Sequence, residues 1–246
     1  MQISGLNMSQ NATLFFDTTT GEFERGATSG SVQVGEVLSS DSRDIQISKS
    51  GNMTANFPDA NLRVGELIDA TVDASVGAKG VTASGTLGVA DLKGDKLSQW
   101  LKGGQLTVNI DQTGAVSGSG NLDFEIAPFN AGKLSAHIEG SQLAGIGTIK
   151  QTSNIDLGPA AKLATGSLDA ILTESRNMEI QGQLALTVIP LPTGEGKATV
   201  SWDSESQKVS GQASYAFEAA NRMDPTVFTK ATLSGPIEEG QLKQLN

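Results

Sequence analysis

From Val116 to Ile126 apolar or small residues alternate with polar ones without a break. Val116, Gly118, Gly120, Leu122, Phe124 and Ile126 fall on one side, and Ser117, Ser119, Asn121, Asp123 and Glu125 on the other. A period of two is what a half-buried β-strand needs to set one face on a core and the other in water. Just upstream, Leu106, Val108 and Ile110 share a face, with Gln105, Thr107 and Asn109 opposite. Between these runs lies Asp111-Gln-Thr-Gly114. Its carboxylate can accept from nearby backbone N–H groups and its glycine can take a positive φ, so the segment predicts a hairpin turn. A second hairpin is predicted by Met178–Val188 and Ala198–Trp202. There Pro190-Leu-Pro-Thr-Gly194 is a stiff connection that cannot continue a central strand. Lys208–Glu218 returns the pattern, with Val209, Gly211, Ala213, Tyr215 and Phe217 on one side.

Helical periods are scarce. Asp95-Lys-Leu-Ser-Gln-Trp-Leu-Lys-Gly103 offers a capping aspartate, an apolar stripe of Leu97, Trp100 and Leu101, and a glycine stop. Pro159-Ala-Ala-Lys-Leu-Ala164 predicts a second helical turn, with proline at the first position. Ser39–Asp44 and Ala219–Pro225 are the most loop-like segments. Other connections are short and rich in Gly, Asp, Asn and Ser, which favours antiparallel neighbours over crossover helices. The expected fold is all-β: about a dozen mainly antiparallel strands in a sandwich or strongly curved meander sheet, with one or two short helices.

The chain reads as a single β-rich domain over residues 1–246. A weak self-similarity runs through it. Thr107-Val-Asn-Ile-Asp-Gln-Thr, Val116-Ser-Gly and Phe124-Glu parallel Thr199-Val-Ser-Trp-Asp-Ser-Glu, Val209-Ser-Gly and Phe217-Glu. With Leu14-Phe-Phe-Asp as an earlier start, degenerate repeats of about 92 residues would begin near residues 14, 106 and 199. Similar turn chemistry between alternating strands accounts for the likeness equally well.

Composition narrows the function class. With 17 basic and 27 acidic residues the net charge is -10. That disfavours binding to nucleic acid, which calls for a basic stripe, and offers no attraction to an anionic membrane. It favours solubility. There is no cysteine, so disulfides and thiol chemistry are absent. The start Met1-Gln-Ile-Ser-Gly-Leu carries no signal-peptide pattern, and no apolar run is long enough for a transmembrane helix. A soluble protein of open compartment is expected, compatible with delivery outside a cell by a route that needs no signal peptide.

Candidate chemistry is thin. His137, the only histidine, lies on the polar side with Ser135 and Glu139. It has no cysteine to pair with and no Gly-x-Ser-x-Gly elbow. Asp123 with Glu125, and Asp169 with Glu174, are the carboxylate pairs that glycoside hydrolysis would need, but sugar-stacking aromatics are few. Outward carboxylates on strands more often discourage edge-to-edge pairing. Asp17-Thr-Thr-Thr-Gly21 and Asp91-Leu-Lys-Gly-Asp95 lack calcium-loop spacing, and zinc ligands are missing. Gly118-x-Gly120 and Gly145-x-Gly147 are not followed by a phosphate-loop helix. No catalytic residue, cofactor or metal is expected.

The glycines on the apolar face carry one more inference. Gly118, Gly120 and Gly182 stand where valine or isoleucine would ordinarily pack. Missing side chains there mean close approach of a neighbouring backbone, a strongly coiled sheet, or a lined groove. Under the groove reading, a hydrophobic-ligand face would comprise Gly118, Gly120, Leu122, Phe124, Ile126, Gly182, Leu184, Leu186 and Val188. The Val116-Ser-Gly-Ser-Gly-Asn-Leu-Asp-Phe-Glu-Ile126 alternation resembles the repeats of bacterial AsmA/TamB-type β-groove proteins, although no membrane anchor like theirs is seen here. The resemblance implies a long curved sheet with an apolar trough for lipid acyl chains. The leading expectation is a non-catalytic structural or protein-interaction β-protein, of the kind found in a secreted or phage-like bacterial assembly or toxin. Its partner would be another protein or a second copy bound through strand edges. A lipid-binding module is the alternative.

Overall fold

A computed structural model describes residues 5–189, 191, 194–220 and 228–246, with side chains at all of these except 95, 219, 220, 228 and 229. Met1–Ser4, most of the Pro190–Gly194 connection, residues 221–225 of the second expected loop and the side chain of the expected cap Asp95 lie outside the described residues. The chain is 68% strand and 4% helix, and its strands pair antiparallel throughout. It is an all-β protein. Eighteen strands, β1 to β18, are found among the described residues, more than the expected dozen. The excess comes from the N-terminal third, where alternation is weaker, and from strands of only two residues.

The chain divides into two compact units. The first spans Met1–Gln99, Gly103–Leu122 and Ala136–Leu143. It contains β1 (Leu6–Phe16), β2 (Phe23–Val34), β3 (Leu38–Ser39), β4 (Arg43–Ile47), β5 (Met53–Val64), β6 (Ile68–Gly77) and β7 (Gly80–Gly88). It also holds most of β8 (Leu101–Ile110) and β9 (Val116–Phe124) and half of β10 (Gly132–Glu139). Each strand pairs with its neighbour in sequence, β1 with β2, β5 with β6, β6 with β7 and β7 with β8. Between β2 and β5 one strand is broken in two: β3 pairs Gln33–Val34, while β4 pairs Gly26–Gly30. The break falls in the predicted Ser39–Asp44 loop, where the Ser40 hydroxyl accepts from the Val32 N–H at 2.8 Å. The core carries Phe57, Leu62, Leu87, Leu106, Val108 and Leu122, all closed from solvent.

The second unit spans Trp100–Lys102, Asp123–Ser135 and Ala144–Asn246. Here most of β11 (Gln142–Gln151) and β12 (Ile155–Asp156) pair with β13 (Ala161–Leu172). The meander continues through β14 (Met178–Val188), β15 (Gly194–Asp203), β16 (Ser210–Ala220), β17 (Phe228–Glu238) and β18 (Gln241–Leu242). Beyond β18 the chain stays beside β17, with Ser234 and Asn246 exchanging backbone hydrogen bonds of 3.0 and 2.9 Å. The Leu242 N–H donates to the Leu157 carbonyl at 3.1 Å. The far edge of β17 is thereby covered over Ser234–Glu238 by the protein's own C-terminal segment.

The expected helix at Asp95 is present as α1 (Asp95–Trp100), and Leu97, Trp100 and Leu101 are buried. The helical turn expected over Pro159–Ala164 is not. Ala161 and Leu163 point inward on β13, opposite Val188 and Leu186 of β14. Cross-strand pairing outweighs a helical preference that only a few residues support.

Three hairpin turns share one device. At Asp111 the Oδ1 accepts from the backbone N–H of Thr113 at 2.8 Å and of Ala115 at 3.0 Å, and Gly114 takes φ +86°. Asp17 Oδ1 accepts from Thr19 and Thr20 at 2.7 and 2.8 Å, and Asp203 Oδ1 from Glu205 and Ser206 at 2.9 and 2.8 Å. At Asp17 and Asp203 the fourth residue on then donates its N–H to the aspartate carbonyl. That residue is Gly21 in the first turn and Gln207 in the other, at φ +71° and +54°. Hydrogen bonds to the charged form hold all three carboxyls below their usual range, from the backbone N–H of Thr20, the Thr113 hydroxyl and the backbone N–H of Ser206 foremost.

Two outcomes are expected. A folded pKa below the unfolded one gives stability that is complete above the unfolded carboxylate range and lost as pH falls through the folded value. The urea midpoint of the native chain should therefore fall more steeply below about pH 4 than that of the D17N/D111N/D203N variant; parallel curves would contradict this. Gln207→Gly should raise stability by roughly 0.5–1 kcal/mol, since glycine bears no Cβ penalty in the left-handed region.

Candidate interaction surface

Strand β1 differs from the other long strands in what surrounds it. Among the described residues it pairs only with β2, so one edge carries backbone N–H and C=O groups that no other described strand takes up. From Ser9 to Phe16 its residues are exposed on both faces. Leu14, Phe15 and Phe16 remain 52%, 37% and 53% exposed, against 8% or less for the apolar core. A strand with one neighbour and no cover over either face cannot bury its large side chains, whatever their hydropathy.

Local register sets what these side chains can touch. Leu14 lies opposite Gly26 of β2, Gly26 opposite Ile47 of β4, and Ile47 opposite Met53 of β5. This rung puts Leu14, Ile47 and Met53 on one face. A Cβ on Gly26 would stand 3.2 Å from Leu14 Cδ2 and 3.3 Å from Ile47 Cβ, so the bare glycine lets the two side chains close over the strand. Phe16 meets Phe23 edge to face, with ring centroids 6.0 Å apart. On the opposite face the Arg25 guanidinium lies over Phe15, 4.3 Å from its centroid. The apolar row runs from Met53 through Ile47 to Leu14 at the outer strand.

Charge is absent from β1. None of its 11 residues is acidic or basic, although the chain carries a net charge of -10. Natural edges are ordinarily blunted by lysine, proline or inward charge. Here the only such device is irregularity: register shifts fall between Met8 and Ala12 and between Phe15 and Phe16. Ala12–Phe15 is the regular stretch between them. The turns beyond the strand are tied by the Lys49–Glu22 ion pair at 2.7 Å, exposed and so worth at most about 1 kcal/mol.

The candidate hydrophobic-ligand face lies elsewhere. Leu122 is in the first unit, and Phe124, Ile126, Leu184, Leu186 and Val188 are in the second. All are buried within the protein, from 0% exposure at Leu122 to 8% at Val188. Gly118, Gly120 and Gly182 are half-buried. Each has a neighbouring strand's backbone where a side chain would go. A Cβ on Gly118 would lie 2.7 Å from the Thr107 carbonyl oxygen, and one on Gly182 2.6 Å from that of Ser167. At Gly120 it would overlap the Gln105 carbonyl, and at Gly147 that of Lys133. At these positions a neighbouring backbone approaches closely.

The remaining candidates stay apart. His137 and Glu125 are exposed. Asp123 pairs with Lys133 at 3.6 Å, and the Asp91 carboxylate accepts from the Gly88 N–H at 2.8 Å. Asp169 is exposed on β13 and Glu174 lies beyond that strand's end. An open depression of the first unit is lined by Asp73, Ser84, Asn109, Asp111 and Glu139 together with Ile110 and Val116. Among the described residues no group of three His, Cys, Asp or Glu side chains is placed to hold a metal ion. No described helix is long and apolar enough to cross a membrane. Compared with protein-family models, with curated proteins and with solved structures, the chain matches none.

Sequence reading missed β1 as a site because its alternation is weak. The usable signal is Leu14-Phe-Phe16, three consecutive large apolar residues that no single face can hold, at the end of an uncharged strand. At the glycine positions a direct check is available. Gly120→Val forces a branched side chain against the Gln105 carbonyl and should cost about 3 kcal/mol in urea unfolding. A change under about 0.5 kcal/mol, typical of an unconstrained surface site, would show that the strands are not in close contact there.

Proposed function

We propose that the chain is a non-catalytic interaction protein that takes up an extended segment by strand addition at β1. The observation that carries this reading is the open edge of β1, bordered by Leu14, Phe15 and Phe16, each more than a third exposed. Main-chain pairing on such an edge supplies affinity, and alternate side chains supply selectivity. Isolated apolar residues on a surface need no special explanation, but a contiguous row ending at unpaired backbone does. The catalytic candidates support no competing role, since they are dispersed, exposed or engaged in turns and ion pairs. The reading fits a component of a larger assembly better than a free-standing catalyst.

The matching segment is extended, low in charge and apolar at alternate positions. Neither acidic nor basic residues would find a counter-charge on β1. A selection of displayed ten-residue peptides against the intact chain tests this. Enriched peptides should be of that composition, should slow amide exchange over Leu6–Phe16, and should bind at least tenfold more weakly to an Ala12→Pro variant, which cannot donate at that position. Enrichment of binders that protect other strands, with β1 unchanged, would overturn the assignment.

A further inference from the structure

The open edge also indicates which strand fits it. Resting on the interaction reading above, we infer that β1 pairs antiparallel with β1 of a second copy of this chain, about a two-fold axis at Leu14. Antiparallel partners set residues of like parity opposite one another and on the same face. With the axis at Leu14, Ala12 faces Phe16 of the second copy, Thr13 faces its Phe15, and the two Leu14 residues meet. This register uses the regular stretch of β1 and its last residue.

Charge selects this occupant. Each chain carries -10, so most surfaces of two copies repel. Strand β1, without an acidic or basic residue, brings no like charge opposite itself, the arrangement that most destabilises cross-strand pairs. In this register Leu14 meets Leu14, and Phe15 and Phe16 lie over the small Thr13 and Ala12 of the second copy. On β17 of the second unit, residues 241–246 occupy the far edge over Ser234–Glu238, through the Ser234–Asn246 pair and the Lys243–Pro236 bond, and the rest of that strand carries Lys230, a charge that β1 lacks. Pairing of β1 with its own copy uses the same edge on both chains, which makes it isologous and closed at two copies.

The area sets the strength. An exposed apolar patch of this kind is a few hundred Å², below the roughly 800 Å² per partner of standard stable complexes. Main-chain hydrogen bonds along the edge make up part of the difference. The pair is therefore a concentration-dependent dimer rather than an obligate one.

Sedimentation velocity of the intact chain at 150 mM salt, from about 1 to 200 µM, a range that brackets a standard transient interface, tests it. The weight-average sedimentation coefficient should rise toward that of a dimer. An L14K/F16K variant, altered only at residues more than half exposed, should remain monomeric at the highest concentration while its circular dichroism stays that of the folded all-β chain. Because the chain has no cysteine, an L14C variant reports register directly. Facing Leu14 positions lie within disulfide reach, so mild oxidation should yield a covalent dimer. Native chain that stays monomeric throughout overturns the self-pairing. If it does so while selected peptides still bind at β1, the interaction reading stands and only the second copy is wrong; if neither associates, both fall. A dimer that persists in L14K/F16K, or an L14C chain that dimerises without cross-linking, also overturns the proposed pairing.

Discussion

Every strand brings a row of backbone donors and acceptors that must be taken up, and this requirement organises the molecule more than any side-chain contact. A meander meets it cheaply, since each new strand pairs with the one just made across a short turn. The turns are built to allow it: Asp17, Asp111 and Asp203 each fold a carboxylate back onto backbone N–H groups that no strand can reach. The same requirement explains the ends. At β17 the final residues return to cover Ser234–Glu238 of the edge. At β1 nothing in the described chain does, and the apolar row ends in the open.

Close approach of the paired backbones follows from the same economy. Inward glycines at 118, 120, 147 and 182 stand against carbonyl groups of adjacent strands, where any side chain would collide. Volume that larger residues would fill is instead taken by tighter pairing. Leucine and phenylalanine between the glycines, Leu122, Phe124, Leu168 and Leu184 among them, complete the cores. Of the candidate ligand face, Leu122, Phe124, Ile126, Leu184, Leu186 and Val188 are buried and the three glycines are half-buried.

Most of the fold could be read from the residues, because the period of two is a strong signal wherever one face is buried and the other wet. Val116–Ile126, Leu106–Ile110 and Met178–Val188 emerge with the expected inward sets, and the Asp111 turn with the expected acceptor and positive-φ glycine. What could not be read has physical causes. Strands β1 to β4 alternate poorly, since β1 is exposed on both faces and the β3–β4 strand is interrupted. Ala161–Ala164 has local helical character that only pairing with β14 overrides. The candidate surface was hidden for a related reason. Sequence reports which residues are apolar, but an open edge depends on which strand lies beside which, and that is settled by the whole meander.

Amide hydrogen exchange on the intact chain in dilute solution addresses the open edge most directly. In β8, flanked on both sides, amides such as those of Leu106 and Val108 should exchange slowly along the whole strand. In β1 only the amides directed at β2 should be slowed, and every second amide from Ala12 to Phe16 should exchange at close to the rate of an unstructured peptide. That alternation is the signature of an edge with nothing beside it. Uniform slow exchange across β1 at the lowest measurable concentration would contradict the account, because it would mean that the chain already covers the edge itself.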